Sequence, residues 1–497
     1  MYANVYTQFQ EMASARKATV HCGHKVAPWK NLVHAISVQN PSDEDLQPLE
    51  QSVAETISQN FKSFNLKRVN VLMSTVTNMF QKSVDGSVLE PTYDLETLVS
   101  RLRFFESSDP RDTIFALINM SKESSMLEAG EEHEIEPPKV DYGKSLLEVY
   151  TDFLEWVVYS SNSLDVLCRQ WAIPQKPLKG GGASQTPLAV LPSWIQCVPG
   201  SPWSLEKKDP SIRITGDSIV GPAGKRVFDA AYGQKPDVRF GRKRSQKLEA
   251  QQLARTSAAP TSIELRPEVA MDTPTSADPR SPEYLGRSPA HQLYAKGIDI
   301  GGVMWTSERV SNGVITQDCL EKGGLVRTSD ELSTLPEKLL CTLVAYPTVK
   351  DESLPPSFLD AAQSCMKFAD KAKGLGIHEL LKDGTFPKGK RGSRAVNYLK
   401  RVEVVTRNRK FFEAMPKGFN SEDLYGLSPP DTQPRDRICI LFGCSVPCVL
   451  RPHRSNDKTE HWEFVGEAYI HGKMHGEAIT ALSEDELRAR TTEFLVI

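Results

Sequence analysis

The sequence predicts an α+β protein, with mostly helical N-terminal and middle regions, a disordered insertion, and a small C-terminal antiparallel β domain. Three observations carry this expectation. Apolar residues recur at helical spacing through much of the chain. Residues 239–291 are rich in Ser, Pro, Ala, Thr and charge, with almost no aromatics, a composition too polar to form a core. From Asp436 to Ala478, three short apolar runs are separated by turn residues, the signature of a small antiparallel sheet. The expected organisation is a leading segment (1–40), a mainly helical region (41–238), the insertion (239–291), a mixed α/β region (292–415) and the β domain (416–497).

The totals bound what the chain can be. Its 497 residues are 39% hydrophobic and 25% charged, ordinary for a globular protein and enough for real cores. A net charge of −3 argues against wholesale binding to nucleic acid or an acidic membrane. No apolar run approaches the roughly 20 residues that span a bilayer. Met1 to Tyr6 lack the basic and apolar regions of a signal peptide, so a cytoplasmic protein is expected, with the nucleus as the alternative. The nine cysteines are odd in number and scattered, which speaks against a disulfide framework.

In chain order, Phe9 to Lys17 reads as helical, Ala18 to Cys22 as a short strand and Gly23 as a turn. Trp29, Leu32, Val33 and Ile36 recur at helical spacing, and another amphipathic stretch covers about Leu49 to Phe80. Leu95, Leu98, Val99, Leu102 and Phe105 share a helix face, with Asp94 placed to cap the first turn. Asp109 is a second N-cap candidate, because Pro110 suits the first helical position and Asp112 the positive end of the dipole. Ser145 to Glu148 forms a capping box opening a helix through Tyr150, Phe153 and Val157. After the insertion, Ile298 to Val303 suggests one strand, and Val310 with Ile315 another. Leu339 to Tyr346 belongs to a helix, Phe358 to Ala372 is a helix face ended by Gly374, and Val396 to Phe412 reads as a helix or helix-to-strand region. Pro447 fits a strand start, where its missing N–H breaks no ladder.

Several groups invite a chemical reading. His471 and His475 are four apart, near Glu477, a spacing that holds zinc on a helix. Gly472 and Gly476 break any helix there, so structural turn residues are the favoured reading. Cys439, Cys444 and Cys448 lack paired CxxC spacing, and burial as small apolar side chains is favoured over metal binding. The basic cluster Arg239, Arg242, Lys243, Arg244 and Lys247 suits nuclear import or phosphate contact, although solvated charge is the default in such a composition. Gly297, Gly301 and Gly302 have neither the following helix nor the Lys-Ser/Thr of a phosphate loop. Asp109 and Asp112 as an acid/base pair are explained more simply by capping.

One ordered set of stretches remains. It runs from Gln10 and Glu11, through Cys22 and Gly23, to Trp29. Asp109, Pro110, Arg111 and Asp112 follow, then the Tyr150 helix, then Leu191, Pro192, Ser193 and Trp194. It closes with Gly443, Pro447, Leu450, Arg451, Gly466, Glu467, Tyr469, His471, Gly472, Met474, Gly476 and Glu477. In this order they resemble the fungal heterokaryon-incompatibility (HET) domain family. The resemblance makes 1–40 the remnant of the end of a HET domain. The family's SYxWG-like strand and WxDxxCINQ-like segment do not occur, so the chain resembles a HET protein without its N-terminal core, by truncation or gene-model error. The family's Gly-Asp before the C-terminal strand is Arg435-Asp436 here, and the Arg of its TLxADR-like motif is absent at Cys341 to Pro347.

The resemblance implies a role in fungal non-self recognition and programmed cell death. The HET core is distantly similar to TIR domains, some of which cleave NAD, but such chemistry would belong to the missing core. No catalytic residue is carried over. The expectation is a protein without catalytic activity, cofactor or metal, with protein partners, no nucleic acid and no membrane span. A regulatory or interaction module derived from a HET protein is the alternative, and a metal-dependent hydrolase built on His471 and His475 is the third reading.

Overall fold

The computed structural model describes residues 15, 18–22, 24–29, 31, 75, 78–82, 88–103, 107, 109–124, 135–174, 191–198, 219–241, 289–326, 335–347, 354–370, 372–382, 385–387, 389–418, 422–454 and 460–497. The expected helices at 9–17 and about 49–80, and nearly all of the 239–291 insertion, lie outside the described residues. Two small hairpins come first: β1 (Thr19–Cys22) with β2 (Lys25–Pro28), and β3 (Phe80–Lys82) with β4 (Val88–Pro91).

The helices of the first half follow local sequence rules. In α1 (Leu95–Leu102), Asp94 Oδ1 accepts the Thr97 amide at 2.7 Å. Buried Glu123 accepts the Leu95 amide at 3.0 Å, so a residue just beyond α2 (Asp112–Ile118) holds the start of α1. The Asp109 carboxylate accepts the Arg111 amide at 3.0 Å, which places the capping chemistry one turn ahead of regular helix. The Ser145–Glu148 capping box opens α3 (Leu146–Ser161). Its Tyr150 and Phe153 pack edge-on against Trp171, with centroids 4.9 and 4.8 Å away. A 3-10 turn at Asp165–Cys168 then leads off the helical layer.

Helices do not dominate, contrary to expectation. Long connections such as 219–237 take no regular form, because their amides bond to distant segments instead. Asp229 N donates to Met474 O and Ala230 N to Ser445 O, both at 2.9 Å.

The sheet is also larger than the small C-terminal unit expected. It has nine strands: β5 (Val238–Phe240), β6 (Leu293–Thr306), β9 (Lys410–Pro416), β10 (Leu424–Ser428), β11 (Arg437–Leu441), β12 (Cys448–Arg454), β13 (Glu460–Glu467), β14 (Tyr469–Ile470) and β15 (Thr491–Val496). Two-residue strands β7 (Val314–Ile315) and β8 (Leu375–Gly376) pair separately. Strand β6 organises the whole. One edge pairs with β5 and β11, the other with β15 and β9. Because β11 continues through β12 and β13, and β13 meets β15 at Trp462↔Val496, the sheet closes on itself. From β6 the sheet also extends through β9 and β10 to β14, with only Ala468 between β14 and β13.

Period-two alternation fills the enclosed space. Val303, Phe412, Ala414, Leu424, Ile438, Val449, Ala468 and Ile470 form one buried cluster between the strands of the closed circuit and β9, β10 and β14. Their neighbours Cys439, Cys448 and Leu450 belong to the larger core shared with the helices. Two glycines of β6, Gly297 and Gly301, permit close contact with the backbone of neighbouring strands. A Cβ on Gly297 would stand 2.3 Å from the Ile440 carbonyl oxygen.

Between β6 and β9 lie α4 (Gln317–Lys322), α5 (Glu337–Val344), α6 (Pro356–Met366), α7 (Ile377–Leu380) and α8 (Lys390–Thr406). Helix α6 stops at Met366, short of the expected Ala372, and Val310 lies outside the brief strand at Val314–Ile315. After β14 come α9 (Glu477–Thr480) and α10 (Glu484–Arg490), the latter with its own capping box at Ser483. Among the described residues no helix is long and apolar enough to cross a membrane.

Candidate functional site

The 3-10 turn after α3 docks on the loop between β11 and β12, and most of the candidate residues converge around this contact. Gly443 O accepts the Leu164 amide at 3.0 Å, and Asp165 Oδ1 accepts the Ser445 amide at 2.7 Å. Gly443 has φ +92°, and a Cβ there would lie 2.5 Å from Pro236 Cγ, so the loop needs glycine on two counts. Gly476, at φ +89°, faces Tyr232 in the same way.

Beside the loop, a buried ion pair joins the sheet to the chain crossing it. Arg409 Nη2 lies 2.8 Å from Glu467 Oε1, with the two side chains 2% and 5% exposed. Glu467 also accepts the amides of Ile219 at 2.7 Å and Val220 at 2.9 Å. A second pair rims the barrel. Arg451 grips Asp436 through Nε (2.9 Å) and Nη2 (3.0 Å) and reaches Glu463 at 3.3 Å. The Arg451 guanidinium and the Glu463 carboxyl are both held further in their charged forms: Asp436 raises the first against burial, and the hydrogen bond from His453 lowers the second.

Tyr469 is buried, and its hydroxyl donates to Tyr346 O at 3.0 Å, bringing the end of α5 onto β14. His471 and His475 lie on a turn rather than a helix. Burial lowers the His471 pKa, and His471 Nδ1 and His475 Nε2 have no hydrogen-bond partner. Neither belongs to a cluster of three potential metal donors among the described residues. Met474 Sδ accepts the Ile470 amide at 3.3 Å, and Glu477 accepts the His475 amide at 2.8 Å across Gly476. Pro447 directly precedes β12, and its carbonyl accepts the Ala468 amide at 2.8 Å. Leu450 is fully buried in the core shared with the helices, and Gly466 stands against Pro429. Gly472 has open space around it.

The Leu191–Trp194 stretch reaches the same barrel from another side. Ser193 donates through both its amide and its hydroxyl to Ile497 O, and its Oγ accepts the Phe464 amide at 2.8 Å. It thereby fastens β13 to the end of β15. Trp194 is buried, donating to His291 O at 3.0 Å and packing edge-on against Phe240. Pro192 is buried and Leu191 half-buried.

Asp109, Pro110, Arg111 and Asp112 form a separate group. Arg111 chelates Asp109 (2.7 and 3.0 Å) and donates to the carbonyls of Tyr142 and Lys144. This contact holds Asp109 below the usual carboxylate range. Asp112 accepts the Tyr142 hydroxyl at 2.6 Å and pushes its pKa up to about 12. Each acid is engaged in a structural contact. Trp29 ends the β1–β2 hairpin, and its amide donates to Ala18 O at 2.9 Å. Cys22 lies in β1, whereas Gln10, Glu11 and Gly23 fall outside the described residues. Of the basic cluster, Arg239 lies in β5 with its guanidinium over Tyr294; the rest is not described.

Residues 413–493 match the Het-6 beta-barrel domain. This is a family related to heterokaryon-incompatibility proteins, and the match covers neither a HET core nor most of the chain. No curated protein and no solved structure matches the chain. The matched Het-6 barrel segment contains β10 to β14 and parts of β9 and β15. The strand on which the circuit closes, β6, precedes it.

Sequence reasoning missed two features of the site. The first is Cys168, whose thiol stands 3.9 Å from that of Cys448 across 280 residues of chain. The second is Arg409, the partner of Glu467. Neither has a local sequence signal; each is defined only by the partner that folding brings to it.

Proposed function

We propose that this chain is a heterokaryon-incompatibility protein of fungal non-self recognition that promotes programmed cell death through protein contacts, without catalytic chemistry of its own. The match of residues 413–493 to the Het-6 beta-barrel domain carries the reading. It is supported by Ser193, Trp194, Gly443, Arg451, Glu467 and Tyr469, which recur in the HET-like order and all brace that barrel. Overexpression in a fungal host tests it: growth arrest and death are expected, and unimpaired growth at high protein level would overturn it. Incubation of the purified protein with NAD should leave the nucleotide intact, because robust glycohydrolase activity would place an active site in this chain. A regulatory or interaction module is the second reading, favoured by a match confined to the barrel. It fits the case in which expression is harmless alone but alters the response to an incompatible partner.

A further inference from the structure

Cys168, Cys444 and Cys448 form the one group of three potential metal donors among the described residues, with their sulfurs all within 4.8 Å of one another. Cys448 Sγ lies 3.9 Å from both Cys168 Sγ and Cys444 Sγ. All three are at most 1% exposed. They come from two parts of the chain: Cys168 ends the 3-10 turn after α3, Cys444 sits in the β11–β12 loop, and Cys448 opens β12. Cys439 pairs with Cys448 across the strands but stands outside the trio.

An ion held about 2.3 Å from each of three thiolates places the sulfurs about 4 Å apart. The two spacings from Cys448, 3.9 Å each, match this, and the third is within 4.8 Å. We propose that the three thiols bind a soft d10 cation, Zn2+ or Cu+, which clips the helical layer to the barrel. Thiolate donors in an apolar pocket select such ions over Mg2+, Ca2+ or Mn2+. Each coordinating thiol passes its proton to solvent as the ion binds, so loading is favoured by rising pH. The charges around the cluster are already paired: Asp165 faces Arg226 at 3.6 Å, and Glu467 faces Arg409. The cation therefore has the thiolates as its counter-charge.

Because the sulfurs are sealed from solvent, the ion enters as the 3-10 turn closes on the loop. Binding is thus coupled to folding, and the native protein resists chelators.

The test uses the full chain, purified from cells supplied with zinc or with copper, and elemental analysis after dialysis against a chelator. One equivalent of Zn2+ or of Cu+ per chain is expected, and the metal found distinguishes the two ions. Refolding with Co2+ should give the intense near-ultraviolet thiolate-to-cobalt band. Cys168→Ser should weaken binding about 100-fold or more, by loss of a direct ligand. Cys341→Ala, a buried thiol on α5 outside the cluster, should retain the ion. If Cys168→Ser does not fold, metal content and the cobalt spectrum of the unchanged chain still decide. Metal-free protein with no cobalt band, or a disulfide linking Cys168 to Cys448 in an alkylated digest, would overturn the proposal.

Discussion

Replacing Arg409 with methionine should destabilise the protein by about 3–5 kcal/mol, the usual cost of stranding one partner of a buried ion pair. Arg409 reaches Glu467 at 2.8 Å, and both side chains are sealed from solvent. Without Arg409, the carboxylate keeps, among the described residues, the Ile219 and Val220 amides as donors. Those two bonds at about 1–1.5 kcal/mol each cannot balance a desolvated charge. A second change separates charge from packing. Glu467→Gln removes the charge but still offers an oxygen to one amide, so Arg409→Met with Glu467→Gln should recover about 1–3 kcal/mol relative to additivity. Urea denaturation followed by circular dichroism supplies the cycle. A loss below about 1 kcal/mol for Arg409→Met, or singles that simply add, would refute the reasoning.

Glu96 is buried against Arg169, yet burial outweighs that charge and pushes its carboxyl up to about 7. The folded form then binds more protons than the unfolded form between pH about 4.5 and about 7, so stability is greatest below this window and falls by up to roughly 3 kcal/mol as pH rises through it. Glu96→Gln should flatten that part of the profile in melts taken across the range. Arg435 has φ +80° and is exposed, and the resembled family has Gly at this position. Arg435→Gly should raise stability by about 0.5–1 kcal/mol, strain relief of about 1–2 being offset by unfolded-state freedom, and a lower melting temperature would count against this. Gly443→Ala combines a left-handed φ with a contact on Pro236 and should cost about 2–4 kcal/mol in the same urea titration.

What could be read in the sequence was whatever is local. Asp94, Ser145 and Glu148 act within three residues of themselves, and the structure keeps each as a cap. The alternation through Ile438 and Val449 needs no partner to be seen either. Strand β6 was shortened in the reading because Gly297, Gly301 and Gly302 interrupt its apolar pattern. At Gly297 and Gly301 the carbonyls of the neighbouring strands approach too closely for a Cβ, and at Gly302 the Arg437 guanidinium takes that space. The excess of expected helix has the opposite cause. Apolar residues such as Ile219, Val220 and Phe228 are buried by docking on the barrel, where hydrogen bonds to remote groups take the place of a helix. The candidate site was half legible. Gly443, Arg451 and Glu467 stood out by resemblance, whereas their roles depend on Pro236, Asp436 and Arg409, which contacts alone identify.

Strands β6 and β9 are direct neighbours, with Thr306 opposite Phe412. The chain leaves the sheet through Ser307 and Val310 and returns through Asn408 and Phe411, stitched by backbone bonds of 2.8 to 3.0 Å. The two ends of everything between are therefore about 5 Å apart, the ordinary separation across an antiparallel pair. Helices α4 to α8 thus occupy the tip of an overgrown hairpin. By connectivity they are an insertion, but by packing they are part of the sheet's core: Tyr425 donates to Cys319 O at 2.7 Å and Tyr469 to Tyr346 O at 3.0 Å, so removing these helices would uncover the buried aromatic face of β9, β10 and β14.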